Sequence, residues 1–406
     1  MTERLYYLHP TITELKVKVL SASETEKGFL VTLDRTIIFP EGGGQPADRG
    51  TLGEAKILDA FEKDGEVFHL TDRPVEAGRE YLLKLDVARR LDHTEQHTGE
   101  HILSGLAYKL FGARNVGFHM AENHCTIDLD RFLDEDELNL LETEANAAVR
   151  RDLPVTEEHM DHEALSRIEI RKKSDVKSDD IRVVWIGGGE IDSCTCCGTH
   201  CYKTGEVGYV RIVDSQKYKG GVRLWFSCGG RAVREAAALT RSMTELARSY
   251  STSRAELPAA VRKQSDELAS LKRELKARTA ALSKAIAAKN AGPVAVLMED
   301  GFGANDVKML SEELVANGAK VALVFGRANG TVNYRALRAE KETVSMGELV
   351  KAVNALVNGT GGGSPAFAQG ATSSPVTEEM LETLRKLIMN WTGEGRKEKN
   401  NELLRL

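Results

Sequence analysis

Asp92-His93-Thr94-Glu95-Gln96-His97-Thr98-Gly99-Glu100-His101-Ile102-Leu103-Ser104-Gly105 is the stretch whose period decides how the chain folds. His93, His97 and His101 fall at i, i+4 and i+8, with Ile102, Leu103, Leu106, Ala107 and Leu110 as an apolar stripe behind them. A helix places such positions on one face, one turn apart, close enough for two imidazoles to grip one metal ion. That reading asks for a second half-site. Far along the chain, Ser193-Cys194-Thr195-Cys196-Cys197-Gly198-Thr199-His200-Cys201 supplies four thiols and a histidine, the softer donors that zinc prefers. A histidine on a helix face is more often a packed core residue than a ligand, and buried cysteines behave as small hydrophobes. The two halves together point to metal.

The strands and helices around this pair sort into four segments. Residues 1–90 alternate short apolar runs with turn residues (Val17–Leu20, Gly28–Leu33, Val67–Leu70, Tyr81–Leu85), which predicts a small β-barrel. Inside it, Pro40-Glu41-Gly42-Gly43-Gly44-Gln45-Pro46-Ala47-Asp48 is either a tight turn or a loop where backbone approaches a ligand, with the Gln45 amide able to donate and accept. Residues 91–228 read as helices on an antiparallel sheet, an α+β domain holding both metal half-sites. Residues 229–290 turn rich in Ala, Leu, Lys, Arg and Glu and predict a helical arm: Ser251-Thr252-Ser253 breaks it, Pro258 opens the second helix, and Val261, Leu268, Leu271, Leu275 and Leu282 follow an imperfect coiled-coil seam. Residues 291–406 predict a C-terminal α/β domain, with a β-α-β unit from Val294 to Phe325 and a Ser345/Glu348 capping box. Its run Gly359-Thr360-Gly361-Gly362-Gly363-Ser364-Pro365 is expected to be a loop able to offer backbone N–H groups to phosphate, without the lysine of a nucleotide-hydrolysing P-loop.

With 406 residues and a net charge of −6, the chain is expected to hold several domains and shows no global sign of a nucleic-acid binder. A local one exists. The second helix of the arm carries eight Lys/Arg against three Asp/Glu between Pro258 and Asn290, including Lys272, Arg273 and Lys276, a surplus suited to tracking an RNA backbone. The six cysteines, four of them clustered, do not resemble a disulfide framework, so a reducing, cytoplasmic setting is expected. No apolar run approaches the ~20 residues of a membrane span.

The combination Gly42-Gly43-Gly44-Gln45-Pro46-Ala47-Asp48, His97-Thr98-Gly99-Glu100-His101 and Cys196-Cys197-Gly198-Thr199-His200 resembles the editing domain of alanyl-tRNA synthetase and of free-standing AlaX editing proteins, whose patterns are G-G-Q, H-x-x-x-H and C-G-G-T-H. Gly361-Gly362-Gly363-Ser364-Pro365-Ala366-Phe367-Ala368-Gln369-Gly370 likewise resembles the G-G-G-x-P-x-x-A-Q-G signature of the C-terminal domain shared by these synthetases and DHH-type phosphoesterases. The chain departs from the patterns at Cys197, where the family has glycine, and at Ser364, where it often has a basic residue. The resemblance implies zinc held by His97, His101, Cys196 and His200, and a pocket faced by Gln45. Thr98 and Gln45 are then candidates to recognise a serine hydroxyl, Glu100 a candidate general base, and Gly361, Gly362 and Gly363 candidate RNA contacts. It also implies the long form of AlaX, a deacylase acting in trans on tRNA(Ala) mischarged with Ser or Gly, with a homodimer through the arm or C-terminal domain as a further expectation.

Two rivals remain at this stage. His97-Thr98-Gly99-Glu100-His101 also fits H-x-x-E-H, a zinc-protease motif in which the glutamate activates water. That motif gives Cys196 and His200 no task, and four protein ligands crowd a protease site. The other rival is a non-catalytic tRNA-binding protein with structural zinc.

Overall fold

The computed structural model describes residues 2–8, 11–173 and 179–394. It divides into two compact units, Met1–Leu246 and Ala247–Leu406.

The first unit begins with a closed six-stranded barrel. Its strands are β1 (Glu14–Thr25), β2 (Gly28–Leu33), β3 (Gly50–Leu52), β4 (Ala55–Lys63), β5 (Glu66–Thr71) and β6 (Glu80–Leu85), in the order β1-β2-β5-β4-β3-β6. The alternation seen in sequence does the sorting: Val17 and Val19 point into the core while Lys16, Lys18 and Leu20 face out. Val31, Leu33, Leu52, Ile57 and Leu83 fill the interior, and closure leaves no free strand edge.

The glycine-rich stretch between the barrel segments is a tight turn. Gly42 and Gln45 exchange backbone hydrogen bonds of 3.0 Å in both directions across Gly43 (φ 61°) and Gly44 (φ 81°). Two successive left-handed residues suit glycine, and here space demands it too, since a Cβ on Gly44 would sit 2.9 Å from the Phe118 ring. Asp48, at the end of the stretch, is fully buried; it accepts from Phe39 N (2.7 Å) and from Arg90 Nε (3.0 Å). Arg90 also donates to the Ile37 carbonyl at 2.8 Å. This buried pair fastens the glycine turn to the helix that follows.

That helix, α1 (Val87–Phe111), is the histidine stretch. Asp86 caps its start by accepting from Arg89 N, and Gly112 (φ 67°) ends it. It lies unusually deep because two glycines let other elements come close. A Cβ on Gly99 would meet Cys228 Sγ at 2.1 Å, and one on Gly105 would meet the Ile191 carbonyl at 2.3 Å. Ile102, Leu103 and Leu106 pack into a core shared with β7 (Asn115–Met120), β8 (Cys125–Leu129) and α2 (Glu135–Arg150). The strands β9 (Val155–Met160), β10 (Ile181–Ile186) and β11 (Asp192–Thr195) form a three-stranded antiparallel sheet; β12 (Val210–Tyr218) and β13 (Gly221–Cys228) complete a four-stranded one, β12-β13-β8-β7. The unit is α+β, as expected.

The second unit carries the 33-residue helix α3 (Leu257–Lys289), with Pro258 in its first turn. Leu268, Leu271, Leu275 and Leu282 are each at least half exposed along it, and Lys272, Arg273 and Lys276 are exposed too. A five-stranded sheet follows, built from β14 (Val294–Asp300), β15 (Val321–Ala328), β16 (Thr331–Arg338), β17 (Thr360–Gly363) and β18 (Phe367–Thr372), in the order β14-β15-β16-β18-β17. β14 and β15 are parallel, joined by α4 (Ala304–Ala316), as the β-α-β reading requires. The second glycine-rich run differs from expectation. It is not a phosphate-cradling loop but the antiparallel hairpin β17–β18, in which Gly361 pairs with Gly370 and Gly363 with Ala368. Its glycines answer to strand packing: a Cβ on Gly361 would lie 2.3 Å from the Gln369 carbonyl, and one on Gly363 2.4 Å from that of Phe367. Gly362 has open space, and all of β17 is exposed. Among the described residues no helix is long and apolar enough to cross a membrane.

Candidate metal centre and its cavity

Side chains from α1 and from the chain after β11 converge inside the first unit. One ligand atom each from His97, His101, Cys196 and His200 lies within 4.8 Å of all the others. Cys196 Sγ is 3.4 Å from His97 Nε2 and 3.3 Å from His200 Nε2. Zinc with ligands at its usual bond lengths separates nitrogen and sulfur by about 3.5 Å along a tetrahedral edge, so the spacing fits that ion. Burial pushes the Cys196 thiol up, but the imidazoles of His97, His200 and His101 outweigh it and hold the group well below the usual thiol range. The thiolate is the ligating form. His93, one turn earlier, is buried with Nδ1 unpartnered and takes no part in the cluster.

Each histidine is held from behind through Nδ1. Gln45 Oε1 lies 2.8 Å from Nδ1 of His97, Asp192 Oδ2 3.0 Å from that of His101, and Thr98 Oγ1 3.3 Å from that of His200. Such partners fix the tautomer and leave Nε2 free for metal. Gln45 and Thr98, expected to recognise the substrate, are both fully buried and are not among the residues that line the cavity. Gln45 Oε1 also accepts from Thr199 N at 3.0 Å, its Nε2 donates to Thr199 Oγ1 at 3.0 Å, and Thr98 Oγ1 accepts from Cys201 N at 3.0 Å. These contacts tie both side chains to the segment Thr199–Cys201.

Glu100 does reach the cavity. Its Oε1 accepts from Asn115 Nδ2 (2.6 Å) and from the Ser104 hydroxyl, and its Oε2 is 3.7 Å from His101 Nε2. The cavity has a volume of about 990 Å³ and is lined by His97, His101 and Cys196 with Phe118, Arg171 and Lys172 among others. Such a volume lies at the upper end of ordinary small-ligand sites. The loop Cys196–Gly198 is pinned by Arg182, which donates to the carbonyls of Cys196 (3.0 Å) and Gly198 (2.9 Å), and by Tyr7, whose hydroxyl donates to that of Cys197. The Arg182 guanidinium in turn covers the Tyr7 ring at 4.7 Å.

The extra thiols divide. Cys194 is buried, with Sγ 3.5 Å from His101 Nδ1; Cys201 is buried in the core behind α1; Cys197 is exposed at the cavity. Position 197 tolerates a side chain because its φ is not positive, whereas a Cβ on Gly198 would fall 2.0 Å from His97 Cε1. Reasoning from sequence missed Asp192, Arg171, Asn115 and Ser104. Ser104, one turn beyond Glu100, offered a spacing signal; the other three reach the site through sheet packing and offered none.

Residues 181–224 match the "Threonyl and Alanyl tRNA synthetase second additional domain" and residues 291–393 the "DHHA1 domain". The alanyl-tRNA editing protein AlaX-L of Pyrococcus horikoshii is 29% identical, covering 95% of this chain and 98% of that protein. An alanine–tRNA ligase of Halorubrum lacusprofundi is 31% identical over 91% of this chain but 42% of its own length, and the alanyl-tRNA editing protein Aarsd1 of Danio rerio is 34% identical over 55% of each. By domain content and along its length, the chain is similar to the long-form alanyl-tRNA editing proteins of the AlaX family.

Proposed function

We propose that this chain is a trans-editing deacylase that hydrolyses the ester of tRNA(Ala) mischarged with serine or glycine, using zinc held by His97, His101, Cys196 and His200. The observation that carries the reading is the convergence of those four ligand atoms at a cavity of about 990 Å³ that also holds a carboxylate, Glu100. When bound, zinc supplies positive charge that orients the aminoacyl group or polarises its carbonyl.

The chain's own residues do the rest. Gln45, Asp192 and Thr98 set the three imidazoles, so that the donor atoms are arranged before metal or substrate arrives. Asn115 and Ser104 hold one oxygen of Glu100, and the other, 3.7 Å from His101 Nε2, is the group we assign to take a proton from an attacking water. Phe118, 5.3 Å from the His97 ring, gives the cavity an apolar wall that excludes bulk water from one side. The exposed basic face of α3, with Lys272, Arg273 and Lys276, suits the sugar–phosphate backbone of the tRNA, and the exposed β17, with Gly361, Gly362 and Gly363, offers a close-approach edge in the same unit. The exposed leucine seam of α3 suits a second copy of the chain.

A four-donor cradle counts against the protease reading, which needs an open coordination position. The experiment is a paired assay of the purified full chain on seryl-tRNA(Ala) and on an unstructured protein. Ester cleavage without peptide cleavage supports deacylation; peptide cleavage alone would replace it with the protease; neither, with zinc bound, would leave a structural site.

A further inference from the structure

Asp192 opens β11 and lies almost wholly out of solvent, at 2% exposure. Both its oxygens are engaged. Arg171 Nε donates to Oδ1 at 2.5 Å and Arg171 Nη2 to Oδ2 at 2.9 Å, while Oδ2 also faces His101 Nδ1 at 3.0 Å. An isolated buried carboxylate is expensive, and the guanidinium fork offsets it while fixing its plane. Arg171 is itself set in place: its N–H donates to the Ser193 carbonyl at 2.8 Å, and Thr195 N donates to the Lys172 carbonyl at 3.1 Å, so the short segment 171–172 runs beside β11. Gly105, one turn beyond His101 on α1, clears the approach; a Cβ there would lie 2.8 Å from Asp192 Cβ.

We infer that Arg171 and Asp192 are positioning residues for metal capture: a clamp that orients the His101 ring, keeps its proton on Nδ1 and presents Nε2 to the ion. The inference rests on the reading of His101 as a ligand. It distinguishes His101 from His97 and His200, whose backing groups, Gln45 and Thr98, carry no charge. It also gives Arg171 two tasks, since the same guanidinium lines the cavity. Lysine cannot replace it fully, because an ammonium cannot bind both carboxylate oxygens in one plane.

The test is zinc affinity of the full chain by competition with a chromophoric chelator, with long-range ¹H–¹⁵N spectra of the histidine rings as a second readout. The set is the parent, Asp192→Asn, Arg171→Lys, Cys194→Ser and His101→Ala. Loss of an outer partner of this kind weakens metal binding about 10- to 100-fold, which is expected for Asp192→Asn, with a smaller loss for Arg171→Lys. Cys194→Ser keeps a small donor and acceptor beside the same His101 nitrogen and should stay within about twofold of the parent on the same scale. If His101→Ala binds zinc as the parent does, the ligand assignment itself is wrong. If His101→Ala loses zinc while Asp192→Asn and Arg171→Lys keep parental affinity and ring spectra, only the clamp is overturned. Should Asp192→Asn not fold free of metal, Arg171→Lys, which preserves charge, decides alone.

Discussion

Gln45 Oε1 lies 2.8 Å from His97 Nδ1, and that contact, between a barrel turn and a helix of the zinc-fitting cradle, joins the two halves of the first unit at its chemistry. The resemblance implied that this glutamine faces the substrate; its side-chain oxygen faces His97, one of the proposed ligands.

Gln45→Ala should therefore weaken zinc binding, by about 10- to 100-fold, rather than only slow cleavage. Gln45→Glu, which keeps an acceptor for His97 and Thr199 N, should retain more metal than Gln45→Ala. Chelator competition checks both; zinc held at parental affinity by Gln45→Ala would return the residue to the substrate side.

The thiols give a sharper contrast. Cys196→Ala should lose zinc and activity together, while Cys194→Ala and Cys201→Ala should stay near stoichiometric by metal analysis. Cys197→Gly should also keep zinc, because that side chain faces the cavity. Gly198→Ala should lose it, since the new Cβ would occupy the His97 ring.

Part of the acid lability should arise in the barrel. His69 is buried, with Nε2 2.8 Å from Thr36 Oγ1, and burial lowers its pKa to about 4. Its folded value lies below its unfolded one, so the unfolded chain binds more protons between about pH 6.5 and 4, and stability is present above that window and lost as pH falls through it. Urea unfolding at pH 7 and pH 5 should show His69→Gln losing about 2 kcal/mol less than the parent. Equal losses would place the acid sensitivity elsewhere.

A fragment ending at Leu246 keeps the cradle and the cavity within one compact unit. It should cleave seryl-tRNA(Ala) at a saturating rate near that of the full chain, with weaker half-saturation and a shallower dependence on salt, because the basic face of α3 is gone. Identical half-saturation and salt slope in the two proteins would assign the second unit another task, with self-association through the α3 leucines the next to measure.

Local periodicity carried much of this structure. The i, i+4, i+8 histidines marked α1, strand alternation at Val17 and Val19 marked the barrel, and the parallel β14–β15 pair followed from two apolar runs flanking a helix. What sequence could not carry was direction. Gln45 and Thr98 were visible as polar residues near the ligands, but the face each side chain takes depends on a turn with two left-handed glycines and on how closely Gly99 and Gly105 let strands approach α1. The glycines of β17 looked like a loop for the same reason: a need for space against a neighbouring strand and a need for free N–H groups leave the same letters. Arg171 and Asp192 met only through sheet packing, and no spacing announces such a pair.

The most direct measurement is single-turnover hydrolysis of seryl-, glycyl- and alanyl-tRNA(Ala) by the zinc-loaded full chain, with Cys196→Ala alongside. Rapid release of serine or glycine is expected, with alanine spared and no release above background by Cys196→Ala. Cleavage of alanyl-tRNA(Ala) as fast as the mischarged forms, or full activity in Cys196→Ala, would contradict it.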